Sequence, residues 1–498
     1  MCKFSKILAA GILVSCCACN CSTSTNEEPG GDNGTSTPEK TGDVKAYVTT
    51  ADRSRLFVED AFDFGKASSM SPNLVKIDLS KTYQTVDGFG AAITGATSYN
   101  LMQMSQENRT AFLKNIFDKE TGLGSGLIRV SIGASDFPAK GTEFTWCDTK
   151  GPDSDLLKNF APHSEDVDYL IPVLKEIYAI NPDVKIIGSP WSAPRWMKIR
   201  DSWTSAELKE DCYKVYADYF VKWIKYMEDQ GFDIYAVTPQ NEPLNRGNSM
   251  SMYMGWKQQR DFIKTGLGPA FEKAGIDTKI LLFDHNYNYD NKSDQLGYPL
   301  HIFADAEASK YVAGSAWHNY GGNVSELDQI VYEYPDKEIY FTEASIGEWN
   351  YSFDGCLLND FESIFMGTLS RMGKGVTLWN LMLDDKKGPY SPANGSCKTC
   401  YGAVEISSSD YSTLNYRSHY YNIAHASKVI KPGAVRVGTS DISLDGISYL
   451  IFKNPDNTVG VIILSKASAE QSLVFSIGNH TVKYSVPAKS LVSLIWQE

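Results

Sequence analysis

The feature that most restricts what this chain can fold into is a repeating alternation. Short apolar runs at 88–92, 127–132, 184–189, 234–239, 279–284, 314–318, 338–343 and 375–383 alternate with longer amphipathic stretches. Those stretches lie near 106–118, 165–179, 205–229, 256–273, 300–308, 324–334 and 360–372, and a last one at 417–429 follows the final run. Runs this short, apolar on both faces, suit parallel strands with helices outside and side chains inside. Eight strand–helix units predict an α/β fold, a (β/α)8 TIM barrel over 85–430. A doubly wound open sheet alternates similarly but usually has fewer strands. No G-x-G-x-x-G follows the first run, so nothing suggests a dinucleotide site.

The pattern changes on either side of the barrel. Beyond residue 431 come short strand-like runs at 435–438, 448–453, 458–464, 472–476, 481–486 and 491–496, separated by turn residues such as Asn454-Pro455-Asp456-Asn457. These predict an appended β-sandwich over 431–498. Six strands close two layers poorly. The β-like runs at 45–50, 55–58 and 74–79 are therefore expected to join them, giving one discontinuous β-domain from 45–84 and the C-terminal segment.

Five of the ten cysteines fall in the first 21 residues: Cys2, Cys16, Cys17, Cys19 and Cys21. Lys3 and Lys6 precede the apolar run 7–14, too short to span a bilayer and of the length of a secretion-signal core. Leu13-Val14-Ser15-Cys16 resembles a bacterial lipobox. The expectation is a signal peptide over 1–15, lipidation at Cys16 and a flexible tether over 16–44, whose Ser, Thr, Asn, Gly and Pro cannot build a core. The chain would then be exported and lipid-anchored to the bacterial cell envelope, at the outer membrane or cell surface, meeting membrane through that anchor only. Cys397-Lys398-Thr399-Cys400 is a lone C-x-x-C with no second pair to complete a zinc site, which leaves a local disulfide or two free thiols. Lys and Arg number 47 against 60 Asp and Glu, a net charge of −13, with no long basic block. Phosphate binding needs clustered cations, so nucleic acid is not an expected partner.

In a barrel the chemistry sits where the strands end and their loops converge. The fourth run leads into Gln240-Asn241-Glu242-Pro243 and the seventh ends Phe341-Thr342-Glu343-Ala344. Strands 4 and 7 are nearly opposite in a ring of eight, so the two carboxylates can face each other across the mouth. Glycosidic cleavage needs such a pair, one to protonate the leaving oxygen and one to act as nucleophile or activate water.

The motifs resemble those of glycoside hydrolase family 30, a family of barrel glycosidases with catalytic glutamates on strands 4 and 7. The resemblance is carried by Gly88-Phe89-Gly90-Ala91-Ala92, Leu127-Ile128-Arg129-Val130, Ser135-Asp136-Phe137 and Ser189-Pro190-Trp191-Ser192-Ala193-Pro194-Arg195-Trp196. Thr238 to Pro243, Thr342-Glu343-Ala344 and Trp379-Asn380-Leu381 continue it in order. It runs from about Asp87 to the C-terminus and is most like the bacterial β-1,6-glucanases. By resemblance, Glu242 is the acid/base and Glu343 the nucleophile of a retaining double displacement. Asn241 hydrogen-bonds the sugar 2-OH, and Arg129 stands beside the nucleophile. Asp136 and Trp191 grip the sugar in the −1 subsite, and Trp379 is an aromatic floor. His318 and Tyr320 match site residues, although Trp317-His318-Asn319-Tyr320 departs from the family's usual His-Trp-Tyr and leaves that wall of the cleft in doubt.

The sequence therefore predicts a retaining β-glycoside hydrolase cleaving a β-glucan, an endo-β-1,6-glucanase on extracellular polysaccharide. It is expected to work as a monomer with no cofactor and no metal. A β-glucosidase, glucosylceramidase or xylan-directed activity is the alternative within the family, since fold does not fix function. A noncatalytic surface glycan-binding lipoprotein would keep the aromatics but need not keep both carboxylates and Arg129.

Overall fold

The computed structural model describes residues 41–66, 73–287, 294–440 and 442–498. The signal-like segment 1–15, Cys16 and the tether as far as residue 40 lie outside the described residues. The tether expected to reach residue 44 is cut short by one position, because Val44 already opens a strand.

Eight parallel strands form the barrel: β1 Gly88–Ala91, β2 Leu127–Ser131, β3 Lys185–Ser189, β4 Ala236–Val237, β5 Lys279–Asn286, β6 Gly314–His318, β7 Glu338–Glu343 and β8 Gly373–Leu378. Neighbours pair in the order β1-β8-β7-β6-β5-β4-β3-β2. The ring closes between β1 and β2 through the parallel bridge Ala92↔Arg129, where the Ile93 N–H donates to the Arg129 carbonyl at 2.9 Å.

The barrel interior is built in layers. Leu127, Ile187, Ala236, Leu281, Ala316 and Tyr340 make a fully buried apolar layer. Side chains two positions further along a strand point to the same side. The next layer toward the C-terminal end is therefore Arg129, Ser189, Thr238, His318 and Thr342. By the same count β5 would present Phe283. Instead Phe283 and Asp284 take left-handed φ values of 74° and 64°, and the pairing with β6 slips by one residue between Ala316 and Trp317. This bulge sends Phe283 outward against Tyr298 and Trp317 and turns Asp284 inward.

Several sequence-derived boundaries change, each for a local reason. Strand 4 is not 234–239 but two residues, since Pro239 has no N–H for a ladder. Strand 8 stops at Leu378, because Asn380 adopts a φ of 57°, and Met382–Asp384 joins a separate three-stranded sheet. The helix expected from 205 begins at Tyr213, after positive φ values at Ser205 and Ala206. The stretch 300–308 splits into Tyr298–Phe303 and Ala306–Ser309, with the Asp305 side chain capping the second. Helix Gly95–Gln103, capped by Thr94, was not anticipated, and the strand expected at 55–58 lies instead at Val58–Phe62.

Strands Val44–Thr50, Val58–Phe62, Gly65–Lys66 and Leu74–Thr85 share one ten-stranded sheet with six strands from Val435–Thr439 to Ser490–Gln497. Leu74–Thr85 pairs with Gln471–Ile477 through Leu74, Val75 and Lys76 and with Val435–Thr439 from Ile77 onward, so it serves both layers. Val44, Val48, Val75, Val461, Phe475 and Trp496 fill the space between them. The helix Ser418–Val429 joins this sandwich to the barrel. Its His425 bonds Ser493 Oγ at 2.8 Å and Thr49 Oγ1 at 2.9 Å.

Candidate active site

The polar layer of the barrel converges on Asp284, which is completely buried. Ser189 Oγ, Thr238 Oγ1 and Arg129 Nη2 donate to its Oδ2 at 2.9, 2.7 and 2.7 Å, while Thr342 Oγ1 donates to Oδ1 at 2.7 Å. His318 Nε2 lies 2.9 Å from Oδ1. Five strands thus aim polar groups at one carboxylate, and these donors carry it far below the ordinary aspartate range although burial opposes this.

From this hub the candidate groups are held in place. Arg129 reaches up to Glu343, with Nη1 donating to Oε2 at 2.5 Å, and to Asn241 Oδ1 at 2.7 Å. Tyr320 Oη donates to the other oxygen of Glu343 at 2.9 Å. His318 Nδ1 lies 3.3 Å from Glu242 Oε1. Glu242 Oε2 accepts from Asn245 at 2.6 Å and from Asn248 at 3.2 Å. Glu242 itself sits past the short β4 in a left-handed conformation (φ 44°), with its N–H donating to the Asp284 carbonyl at 2.9 Å. A strained φ at a side chain fixed by three partners is the usual mark of a functional position.

One oxygen of each glutamate and a ring nitrogen of His318 all lie within 4.8 Å of one another. That trio could reach a single cation. Its members are already engaged, however, by Arg129, Tyr320, Asp284 and the two asparagines, and the guanidinium supplies the positive charge. The cavity between the glutamates measures about 270 Å³. Asp136, Trp191, Trp379, Tyr320, Asn245, Asn248, Asn286, Ser345, Trp349, Cys397 and Cys400 line it with the two glutamates. Trp191 and Trp379 stack at 5.0 Å between centroids, and the Arg129 guanidinium lies 4.9 Å from the Trp191 ring.

Charges in this enclosed space shift one another. Burial would lower His318, but Glu343 and its hydrogen bonds to Asp284 and Glu242 raise it to about 9. Burial would raise Glu242, but the His318 hydrogen bond and the charges of His285 and His318 bring it down to about 2. Glu343 is raised by burial, against His318 and Arg129. Asp136 rises to about 8 through burial and then the charge of Glu343. His318, held between Glu242 and Asp284, therefore keeps its proton at neutral pH.

Every barrel residue singled out from the sequence lies in or directly behind this cavity. Arg129, Asn241 and His318 stand behind it as supports, and the others face it. Trp317 is buried against Phe283 and Tyr287, and Asn319 donates to Ser363 Oγ at 3.1 Å, so neither forms the cleft wall that the sequence left in doubt. The C-x-x-C is a disulfide, Cys397–Cys400, at the cavity edge. Sequence reasoning missed Asp284, Asn245, Asn248, Asn286 and Trp349. Asp284 ended its predicted strand just as Glu343 did, and that shared position was the available signal.

Residues 86–430 match the glycosyl hydrolase family 30 TIM-barrel domain, and 433–494 match the family 30 beta sandwich domain. An endo-1,6-beta-D-glucanase of Neurospora crassa is 31% identical over 436 residues, 84% of this chain and 88% of that protein. The lysosomal acid glucosylceramidase of Mus musculus is 26% identical over 431 residues, 81% of this chain and 79% of the relative. A solved endo-beta1,6-glucanase superposes with a TM-score of 0.87 at 49% identity, covering 92% of this chain and 100% of its own.

Proposed function

The chain belongs to glycoside hydrolase family 30, and we propose that it is an endo-β-1,6-glucanase of the bacterial cell surface. Family membership makes it a glycoside hydrolase acting with retention. The observation that carries the residue roles is that one oxygen of Glu242 and one of Glu343 lie within 4.8 Å of each other across the barrel mouth. Retaining enzymes hold their carboxyls about 5 to 5.5 Å apart, whereas inverting ones leave roughly 6.5 Å or more for a water.

Glu343 is the nucleophile. Arg129 and Tyr320 each donate to one of its oxygens, which orients the carboxylate toward the anomeric carbon and favours its charged form. Glu242 is the acid/base. The proton for the leaving oxygen comes to Glu242 from His318 across their 3.3 Å contact. Having given that proton to the leaving oxygen, Glu242 is again a carboxylate, and in the second step it takes a proton from the attacking water and returns it to His318 as Glu343 departs. Arg129 holds Asn241 behind the two glutamates, which supports the 2-OH role its motif implies, and Asp136, Trp191 and Trp379 line the cavity that would take the −1 ring.

The 49% identity to a solved endo-beta1,6-glucanase and the fungal endo-1,6-beta-D-glucanase relatives support β-1,6-glucan as substrate. The mouth itself agrees, since Asn245, Asn248, Asn286 and Ser345 suit a hydroxylated leaving group better than acyl chains. The lipobox-like Leu13-Val14-Ser15-Cys16 supports export and lipid anchoring at Cys16. The protein acts on extracellular polysaccharide, as a monomer and without a cofactor.

The test is a product profile on linear β-1,6-, β-1,3- and β-1,4-glucans, xylan, aryl β-glucosides and glucosylceramide. Rapid appearance of mixed β-1,6-linked oligosaccharides is expected. Glucose as the sole early product would refute endo action, and attack on xylan or glucosylceramide without β-1,6-glucan cleavage would refute the substrate.

A further inference from the structure

Among the large apolar side chains that stand exposed in the described residues, Tyr320 and Trp349 border the catalytic cavity. Tyr320 is bound to Glu343 and Ser345 through its hydroxyl. Trp349 is 52% exposed, which leaves much of an indole facing water at the mouth. Its segment is nevertheless firmly held. Ile346–Gly347 pairs antiparallel with Cys400–Tyr401, the Glu348 N–H donates to the Thr399 carbonyl at 2.9 Å, and the Cys397–Cys400 disulfide closes the opposing turn. The indole lies directly on Gly347, where a Cβ would fall 2.0 Å from the ring. Glycine at 347 lets the main chain lie against the six-membered ring, while about half of the indole stays exposed at the cavity mouth.

We infer that Trp349 is the stacking platform of the +1 subsite, taking the glucosyl ring attached through the scissile oxygen. This inference rests on the β-glucan reading above. The ring being cleaved is enclosed deeper, among Asp136, Trp191 and Trp379, each nearly buried. Whatever is joined to its anomeric oxygen must leave through the mouth. The loop carrying Trp349 starts at Ser345, 3.3 Å from Tyr320 Oη, and is tied through the Glu348 N–H to Thr399, so the half-exposed indole stands at the outer rim of the cavity, beyond the buried ring site. A pyranose presents a face of C–H groups, and a fixed aromatic face binds it at low entropic cost.

The experiment compares a linear β-1,6-gluco-oligosaccharide with β-glucosyl fluoride, using the full chain. With the fluoride, Glu343 displaces F⁻ from the anomeric carbon and no sugar occupies +1. Water or an added methyl β-glucoside then attacks the ester, Glu242 takes the proton of the attacking hydroxyl, and Glu343 leaves as carboxylate. In Trp349→Ala, the ratio of kcat/KM on the oligosaccharide to kcat/KM on the fluoride falls roughly tenfold. The share of fluoride-derived glucose captured by methyl β-glucoside falls with it, and Trp349→Phe restores most of both. Equal losses on the two substrates would overturn the assignment and make Trp349 a structural residue. A drop on the oligosaccharide with acceptor capture unchanged would also overturn it, placing the ring on the glycone side. A wild-type enzyme that turns over the fluoride but not the oligosaccharide would refute the substrate reading instead, before any variant is examined.

Discussion

Asp136 is 6% exposed, and burial followed by the charge of Glu343 raises its carboxyl to about 8. Below that pH it is a neutral acid that can donate to a sugar hydroxyl, and above it a third negative charge appears beside two glutamates. Activity should therefore fall as pH rises through about 8. Asp136→Asn keeps a neutral donor of the same shape. It should retain at least roughly tenfold more kcat/KM than Asp136→Ala, the worth of about one hydrogen bond to a buried group. Its basic limb should also move up toward the value of about 9 held by His318. Parallel pH profiles of the three proteins check this, and an Asn variant as poor as the Ala variant would mean that the ionised form binds the sugar. At this scale the sequence was informative wherever a residue stood inside a motif. It was silent on Asn245, Asn248 and Trp349, which act through loop positions that no periodicity marks.

Strand β5 shows what a single element contributes. Its apolar run was legible, but its bulge was not, because period-two counting puts Phe283 inside and Asp284 outside. The bulge reverses this and supplies the carboxylate that Arg129 and His318 lean on. Asp284→Asn keeps the shape and removes the charge. Arg129 then loses one anionic partner and His318 loses a hydrogen bond that raises it. The expected result is a fall in kcat on the order of a hundredfold, as for a small misplacement of reacting groups. KM should change less, and the basic limb should shift downward as His318 becomes easier to deprotonate. A folded Asp284→Asn enzyme with the wild-type pH profile would show that Asp284 only fills space. Other boundaries moved for equally local reasons. Pro239 shortens β4, and left-handed residues at Ser205, Ala206 and Asn380 end or delay elements that hydrophobic pattern alone would extend.

Over the whole molecule, alternation of short apolar and longer amphipathic segments was enough to read the barrel, because each strand must be covered by its helix. The two ends of the ring divide the labour. At the N-terminal end, Asp87, Lys185, Lys374, Glu338 and Lys279 form an ion network with Tyr235 and Tyr340. At the C-terminal end, similar groups leave the glutamates facing a cavity. The sandwich is joined to the barrel through His425, which burial lowers to about 3 and which bonds strands from both ends of the chain. The central claim is that this arrangement makes Glu343 the nucleophile of a double displacement. The direct measurement is mass spectrometry of peptides from enzyme treated with 2-deoxy-2-fluoro-β-glucosyl fluoride. The 2-fluorine slows both steps by destabilising the oxocarbenium-like transition state, while the fluoride leaving group lets the first outrun the second. A single fluoroglucosyl adduct on the peptide carrying Glu343 is the predicted result; an adduct on Glu242, or turnover with inversion and no adduct, would contradict it.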